Sequence, residues 1–125
     1  MLRGATALAC AVGVVSSAIA YRSEGKLEEA LVLSSQGRTE EALDAVTDAR
    51  LLNPDTRADI GEARLRAVLG QPTDDIMRRL AREEPENVAV WLTWKDLQVE
   101  AGEFDAARRS YARALELDSQ LPPLR

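Results

Sequence analysis

The stretch Val88–Leu121, VAVWLTWKDLQVEAGEFDAARRSYARALELDSQL, decides the fold. Gly102 divides it into two runs of similar length. In the second run Ala107, Tyr111, Ala114 and Leu115 recur at i, i+4, i+7 and i+8, the spacing of one buried helix face. Asn87, just ahead of the first run, is an N-cap residue whose side chain can accept an orphan backbone N–H bond. The stretch therefore reads as two helices joined by a glycine turn. No strand signal competes with it.

Working outward, the same phrase recurs earlier in the chain. Gly37-Arg38-Thr39-Glu40-Glu41-Ala42-Leu43 stands beside Gly102-Glu103-Phe104-Asp105-Ala106-Ala107-Arg108. Ala49-Arg50-Leu51-Leu52-Asn53-Pro54 stands beside Ala114-Leu115-Glu116-Leu117-Asp118-Ser119. The alanine pairs Ala42/Ala49 and Ala107/Ala114 fall at matching offsets, where small side chains let two helices approach closely. Ala42, Leu43, Val46 and Ala49 form the apolar stripe of the earlier copy.

On these residues Val88–Leu121 resembles one tetratricopeptide repeat. Trp91 stands at the family's tryptophan place, Gly102 at its turn and Phe104 at the aromatic place that follows. Ala107, Tyr111 and Ala114 take the small, aromatic and small places of the second helix. Ala114-Leu115-Glu116-Leu117-Asp118 is close to the family's closing phrase. Lys95 departs from the pattern, which favours a small residue there; either the helix pair sits slightly apart or Lys95 snorkels outward. Ser23–Thr56 resembles a second copy through Ala30, Gly37, Ala42, Ala49 and Asn53-Pro54, without the aromatics. Residues 57–87 are a degenerate middle copy. Gly61, Ala63 and Gly70 suggest its first helix and turn, and Ile76, Met77 and Leu80 stripe its second. The resemblance implies an all-α, tetratricopeptide-like solenoid of about three helix pairs, in copies near 23–56, 57–87 and 88–121.

The pattern predicts helices over 4–36, 39–52, 56–69, 73–84, 88–101 and 104–117. Thr39 and Thr73 join Asn87 as predicted N-caps. Pro54, Pro72 and Pro85 lie at helix edges, where a missing N–H matters least. Gly37, Gly70 and Gly102 are the turns within pairs. The residues after 121, with Pro122-Pro123, form a tail.

The amino-terminal GATALACAVGVVSSAIAY, residues 4–21, carries no charge and lies between Arg3 and Arg22. It is close to the shortest stretch able to span a bilayer, about 17 residues. Two readings stand. An uncleaved single-pass anchor is favoured because the helical pattern begins at Ser23 without a linker. A cleaved export signal is supported by Ala18-Ile19-Ala20, a small-x-small site that would release the chain after Ala20 as a secreted or periplasmic protein. With the anchor kept, the repeats are expected on the extracytoplasmic side. Ala9, Gly13 and Ser17 form a small-residue stripe that would let two such helices pair.

The formal net charge is −5, with both signs interspersed. That argues against nucleic acid, which needs a clustered basic face. Arg78-Arg79 and Arg108-Arg109 read as solvated helix surface. With one cysteine and no histidine, the chain holds neither an internal disulfide nor a Cys/His zinc site. No nucleophile elbow or phosphate loop occurs. The adjacent acids Glu28-Glu29 and Asp74-Asp75 point in different directions on a helix. First-turn acids such as Glu40, Glu41, Asp74 and Asp75 have the simpler task of offsetting the helix dipole. No catalytic residue, cofactor or metal is expected.

The resemblance implies a groove lined by the first helix of each pair. In the first copy it would hold Leu27, Leu31, Ser34 and Ser35. Ile60, Arg64 and Ala67 follow in the middle copy, then Leu92, Asp96, Val99 and Glu100. The lysine and asparagine that grip acidic peptide tails in one subgroup are replaced here by Leu27, Leu31, Leu92 and Asp96. The expected function is a non-enzymatic scaffold or adaptor at the membrane, binding a protein partner's helix or extended segment. The alternatives are a self-associating structural subunit of an envelope assembly, for which a homodimer is the simplest form, and a cleaved, exported adaptor.

Overall fold

A computed structural model describes residues 22–123. All regular structure in them is helical. The chain is helical over residues 22–35 (α1), then over Thr39–Leu52 (α2), Thr56–Val68 (α3), Asp74–Glu83 (α4), Val88–Glu100 (α5) and Phe104–Leu117 (α6). Five of these agree with the sequence-based boundaries to within a residue or so. The predicted helical stretch of 4–21, and the anchor or signal read there, lie outside the described residues. Among the described residues no helix is long and apolar enough to cross a membrane.

Three turns share one backbone solution. Gly37, Gly70 and Gly102 have φ of 74°, 69° and 77°. At each, the glycine N–H bonds three residues back and the next N–H bonds five residues back: Gly37 to Ser34 and Arg38 to Leu33, Gly70 to Ala67 and Gln71 to Arg66, Gly102 to Val99 and Glu103 to Gln98. This is the Schellman closure. It satisfies the last carbonyls of a helix and needs a left-handed residue, which glycine adopts without a Cβ clash. The likeness extends beyond the turns. Arg38 and Glu103 have φ, ψ of −87°, 63° and −89°, 61°. Asn53 and Asp118 end α2 and α6 at −150°, 98° and −139°, 98°. The described chain is thus helical and repeat-like in its local geometry.

Capping differs from expectation. Asn87 does cap α5, accepting from the Ala89 N–H at 3.0 Å. Thr73 precedes α4 without a side-chain bond, and Thr39 is the first residue of α2, not its cap. The unforeseen cap is Asp55, whose Oδ1 accepts from the Arg57 N–H at 2.9 Å.

Two compact units divide the chain at Leu65 and Arg66. In the first, Ala30, Ala42, Ala45, Val46 and Leu65 form a buried cluster, with Leu27, Leu33 and Leu43 packed on it. Its side chains are small, so α1 and α2 come close enough for the buried Ser23 hydroxyl to donate to the Ala49 carbonyl, 3.2 Å away. In the second, α6 packs along α5, and α4 also packs against α5. Ile76, Met77, Leu80, Val90, Leu97, Tyr111 and Ala114 are buried there. Gln98 is buried as well and accepts from the Ser110 hydroxyl at 2.7 Å.

Candidate functional site

The first unit carries an open, largely apolar cleft of about 360 Å³ between α1 and α3, with α2 as its floor. Leu27, Leu31 and Ser34 supply one wall, at i, i+4 and i+7 on α1. Arg57, Gly61 and Arg64 supply the other, at the same spacing on α3. Val46 and Leu65 lie beneath. Leu27 is half-buried against the core cluster, whereas Leu31 is 72% exposed. A leucine so exposed on a cleft wall costs solubility and contributes little to this unit's own packing.

At one end of the α3 wall, Asp55 holds Arg57. Its Oδ2 accepts from Nε at 3.1 Å and from Nη2 at 3.0 Å. The Arg57 backbone N–H above all draws the Asp55 carboxyl below the usual aspartate range; burial opposes it, and the Arg57 guanidinium adds to the lowering. The cleft therefore presents an apolar centre with guanidinium groups along one rim. It has the chemistry of a binding surface. Among the described residues no three His, Cys, Asp or Glu side chains gather in a way that would hold a metal ion.

Of the residues expected in a groove, Leu27, Leu31, Ser34 and Arg64 meet in this cleft. Ser35 turns its hydroxyl onto the Val32 carbonyl, 2.7 Å away. Ile60 and Ala67 are half-buried. In the second unit, Leu92 is half-buried, Asp96 is paired with Lys95, and Val99 and Glu100 are exposed on α5. The clefts of that unit open instead beside Trp94 and Gln98, with volumes of about 270 and 400 Å³, the larger also against Trp91. Trp91 and Trp94 stack with ring centroids 5.8 Å apart, and the Trp91 indole donates to the Pro85 carbonyl at 2.9 Å. Trp91 thus serves packing. Lys95 keeps its departure from the pattern by lying over the Tyr111 ring, 6.0 Å from its centroid.

Arg57 and Gly61 were not anticipated in the cleft. The signal for them was present: they complete an i, i+4, i+7 set with Arg64. That set has no apolar member, so a search for apolar stripes passes over it.

No protein-family model and no curated protein matches the chain.

Proposed function

We propose that this protein is a tetratricopeptide-like adaptor, held at a membrane by residues 4–21, that binds a helix or extended segment of a protein partner and performs no catalysis itself. The observation that carries this reading is the cleft of the first unit, where Leu31 stands exposed beside Leu27 on a wall shaped to receive an apolar side chain. The three matching Schellman turns support reading the helix pairs as repeats of a short solenoid, a class that binds through the face its first helices line.

Affinity purification of the full-length chain after mild detergent extraction, followed by mass spectrometry, tests the reading. It expects a stable heterologous partner that is lost with Leu31→Glu. Recovery of the chain alone, or of the same partner with wild-type and variant, counts against it. Intact mass of the extracted protein tests the anchor separately. A mature chain beginning at Tyr21 would make it an exported adaptor instead.

A further inference from the structure

The Trp94 indole N–H on α5 is buried and meets no acceptor among the described residues. Trp91, stacked against it, differs: its N–H is held by the Pro85 carbonyl. A shielded donor without an acceptor is costly, because it has given up water and gained nothing in return. One helical turn further along α5, Gln98 is 8% exposed and uses its Oε1 to accept from the Ser110 hydroxyl. Its amide N–H groups are thereby left without an acceptor among the described residues. Trp94 and Gln98 line both clefts of the second unit. The two clefts also share Asp74 and Glu103, so they adjoin as one trough, with the tryptophan pair at one end. Charge does not choose an occupant here. Asp74 faces Arg78 at 3.5 Å, and the other charged lining residues, Glu103 and Arg109, are of opposite sign.

We infer that this trough binds a proline-rich segment of a partner protein in the polyproline II form, its rings against Trp91 and Trp94 and its carbonyls accepting from Trp94 and Gln98. The free groups at the centre are donors, so the occupant must bring acceptors. A docked helix has committed its carbonyls to its own N–H groups, except in the last turn. A strand-like segment brings as many N–H donors as carbonyls, and at Trp94 and Gln98 those N–H groups would meet donors. Proline brings a carbonyl and no N–H. In polyproline II no carbonyl is used internally, and the preset backbone keeps the cost of ordering low. The tryptophan faces supply flat apolar surface for the rings. A carbonyl reaches the shielded indole N–H as the half-buried Trp94 ring tilts toward the trough. The site lies wholly in the second unit and does not depend on the cleft of the first.

The test is nitrogen–proton spectroscopy of the indole-labelled full-length chain in phospholipid nanodiscs. The chain has two tryptophans, so two indole signals report, assigned with Trp91→Phe and Trp94→Phe. The probe is acetylated, amidated decaproline, beside a helical alanine-rich peptide and an extended threonine-rich peptide of equal length. Decaproline at ~1 mM, enough to populate even a weak complex, is expected to move the Trp94 signal downfield and the Trp91 signal less. The other two peptides should leave Trp94 in place. Fluorescence anisotropy of labelled decaproline gives the affinity. Trp94→Phe keeps a ring and removes the donor, and should weaken binding about fivefold, the worth of one hydrogen bond. Gln98→Met, of similar length without the amide, should do the same; if it loses helical signal, Trp94→Phe alone carries the comparison. A Trp94 signal unmoved by decaproline overturns the inference. Equal binding of the helical or threonine-rich peptide overturns the polyproline occupant. Unchanged affinity in the folded variants overturns the roles of the two donors. A dimer seen by light scattering that is dissolved by removing residues 119–125, which include Pro122-Pro123, overturns the partner, since the occupant would then be the tail of a second copy.

Discussion

Arg50 on α2 places its Nη1 2.9 Å from the Glu62 carboxylate and 3.6 Å from that of Asp59, joining two acids buried on α3 to the preceding helix. Glu62 is only 1% exposed and Asp59 5%, while the Arg50 side chain is about one-third exposed. The ion pair lies where α3 closes on α2 and ties the two helices together. Buried charges are tolerated only with partners, and removing one partner is costlier than never having had the pair.

Arg50→Met is therefore expected to destabilise the protein by about 2–3 kcal/mol, the lower side of the usual range because Arg50 is partly solvated. Adding Glu62→Leu should recover part of the loss. Urea denaturation followed by circular dichroism measures both. A loss below about 0.5 kcal/mol for Arg50→Met would show that the guanidinium is dispensable there.

Asp55 should matter twice, as a cap and as a charge. Asp55→Ala removes the acceptor for the Arg57 N–H and is expected to cost about 1 kcal/mol. Asp55→Asn keeps an acceptor and loses only the charge, a smaller effect under about 1 kcal/mol for a pair whose arginine is solvated. Because folding lowers the Asp55 pKa, the contribution of its charge is complete above about pH 4 and is lost as pH falls through the lowered folded value. The stability gap between wild type and Asp55→Asn should accordingly shrink in acid. A gap constant from neutral pH down to about pH 2 would contradict this.

Two glycines should respond to alanine in opposite directions. Gly102, at φ 77°, should lose about 1–2 kcal/mol on Gly102→Ala, the cost of a Cβ in left-handed backbone. Gly61, in ordinary helix with room for a methyl, should gain up to about 1 kcal/mol on Gly61→Ala. Thermal melts of the two variants check the signs. Destabilisation at Gly61 would mean that its missing side chain serves packing.

Leu27 and Leu31 separate fold from binding. Leu27→Glu sets a charge against the cluster of Ala30, Val46 and Leu65 and should cost about 2–3 kcal/mol. Leu31→Glu, at a site 72% exposed, should change stability by less than about 0.5 kcal/mol. The pair of substitutions made together would therefore confuse loss of fold with loss of a surface. Equal destabilisation by the two would place Leu31 in the core and not on a cleft wall.

What the sequence by itself determined was local. Helix positions follow from apolar spacing at 3.6 residues per turn. The turns follow from Gly37, Gly70 and Gly102, because only glycine enters left-handed backbone without strain. Asn87 was legible as a cap for a similar reason: its side chain meets a backbone N–H only two residues away. Asp55 follows the same rule, whereas Thr39 and Thr73 show that a suitable residue type does not guarantee the bond. The tertiary structure alone decided which faces close. Asp59 and Glu62 carry no mark in the sequence of the Arg50 that α2 brings against them. Ser110 and Gln98 likewise become partners only when α6 lies along α5. Arg57, Gly61 and Arg64 form a face of α3 that no apolar pattern marks, and it becomes a cleft wall because α1 stands opposite with Leu27 and Leu31. Spacing along a helix is set by the chain's own geometry, but the neighbour a face meets is set by packing between distant segments, which a linear pattern does not encode.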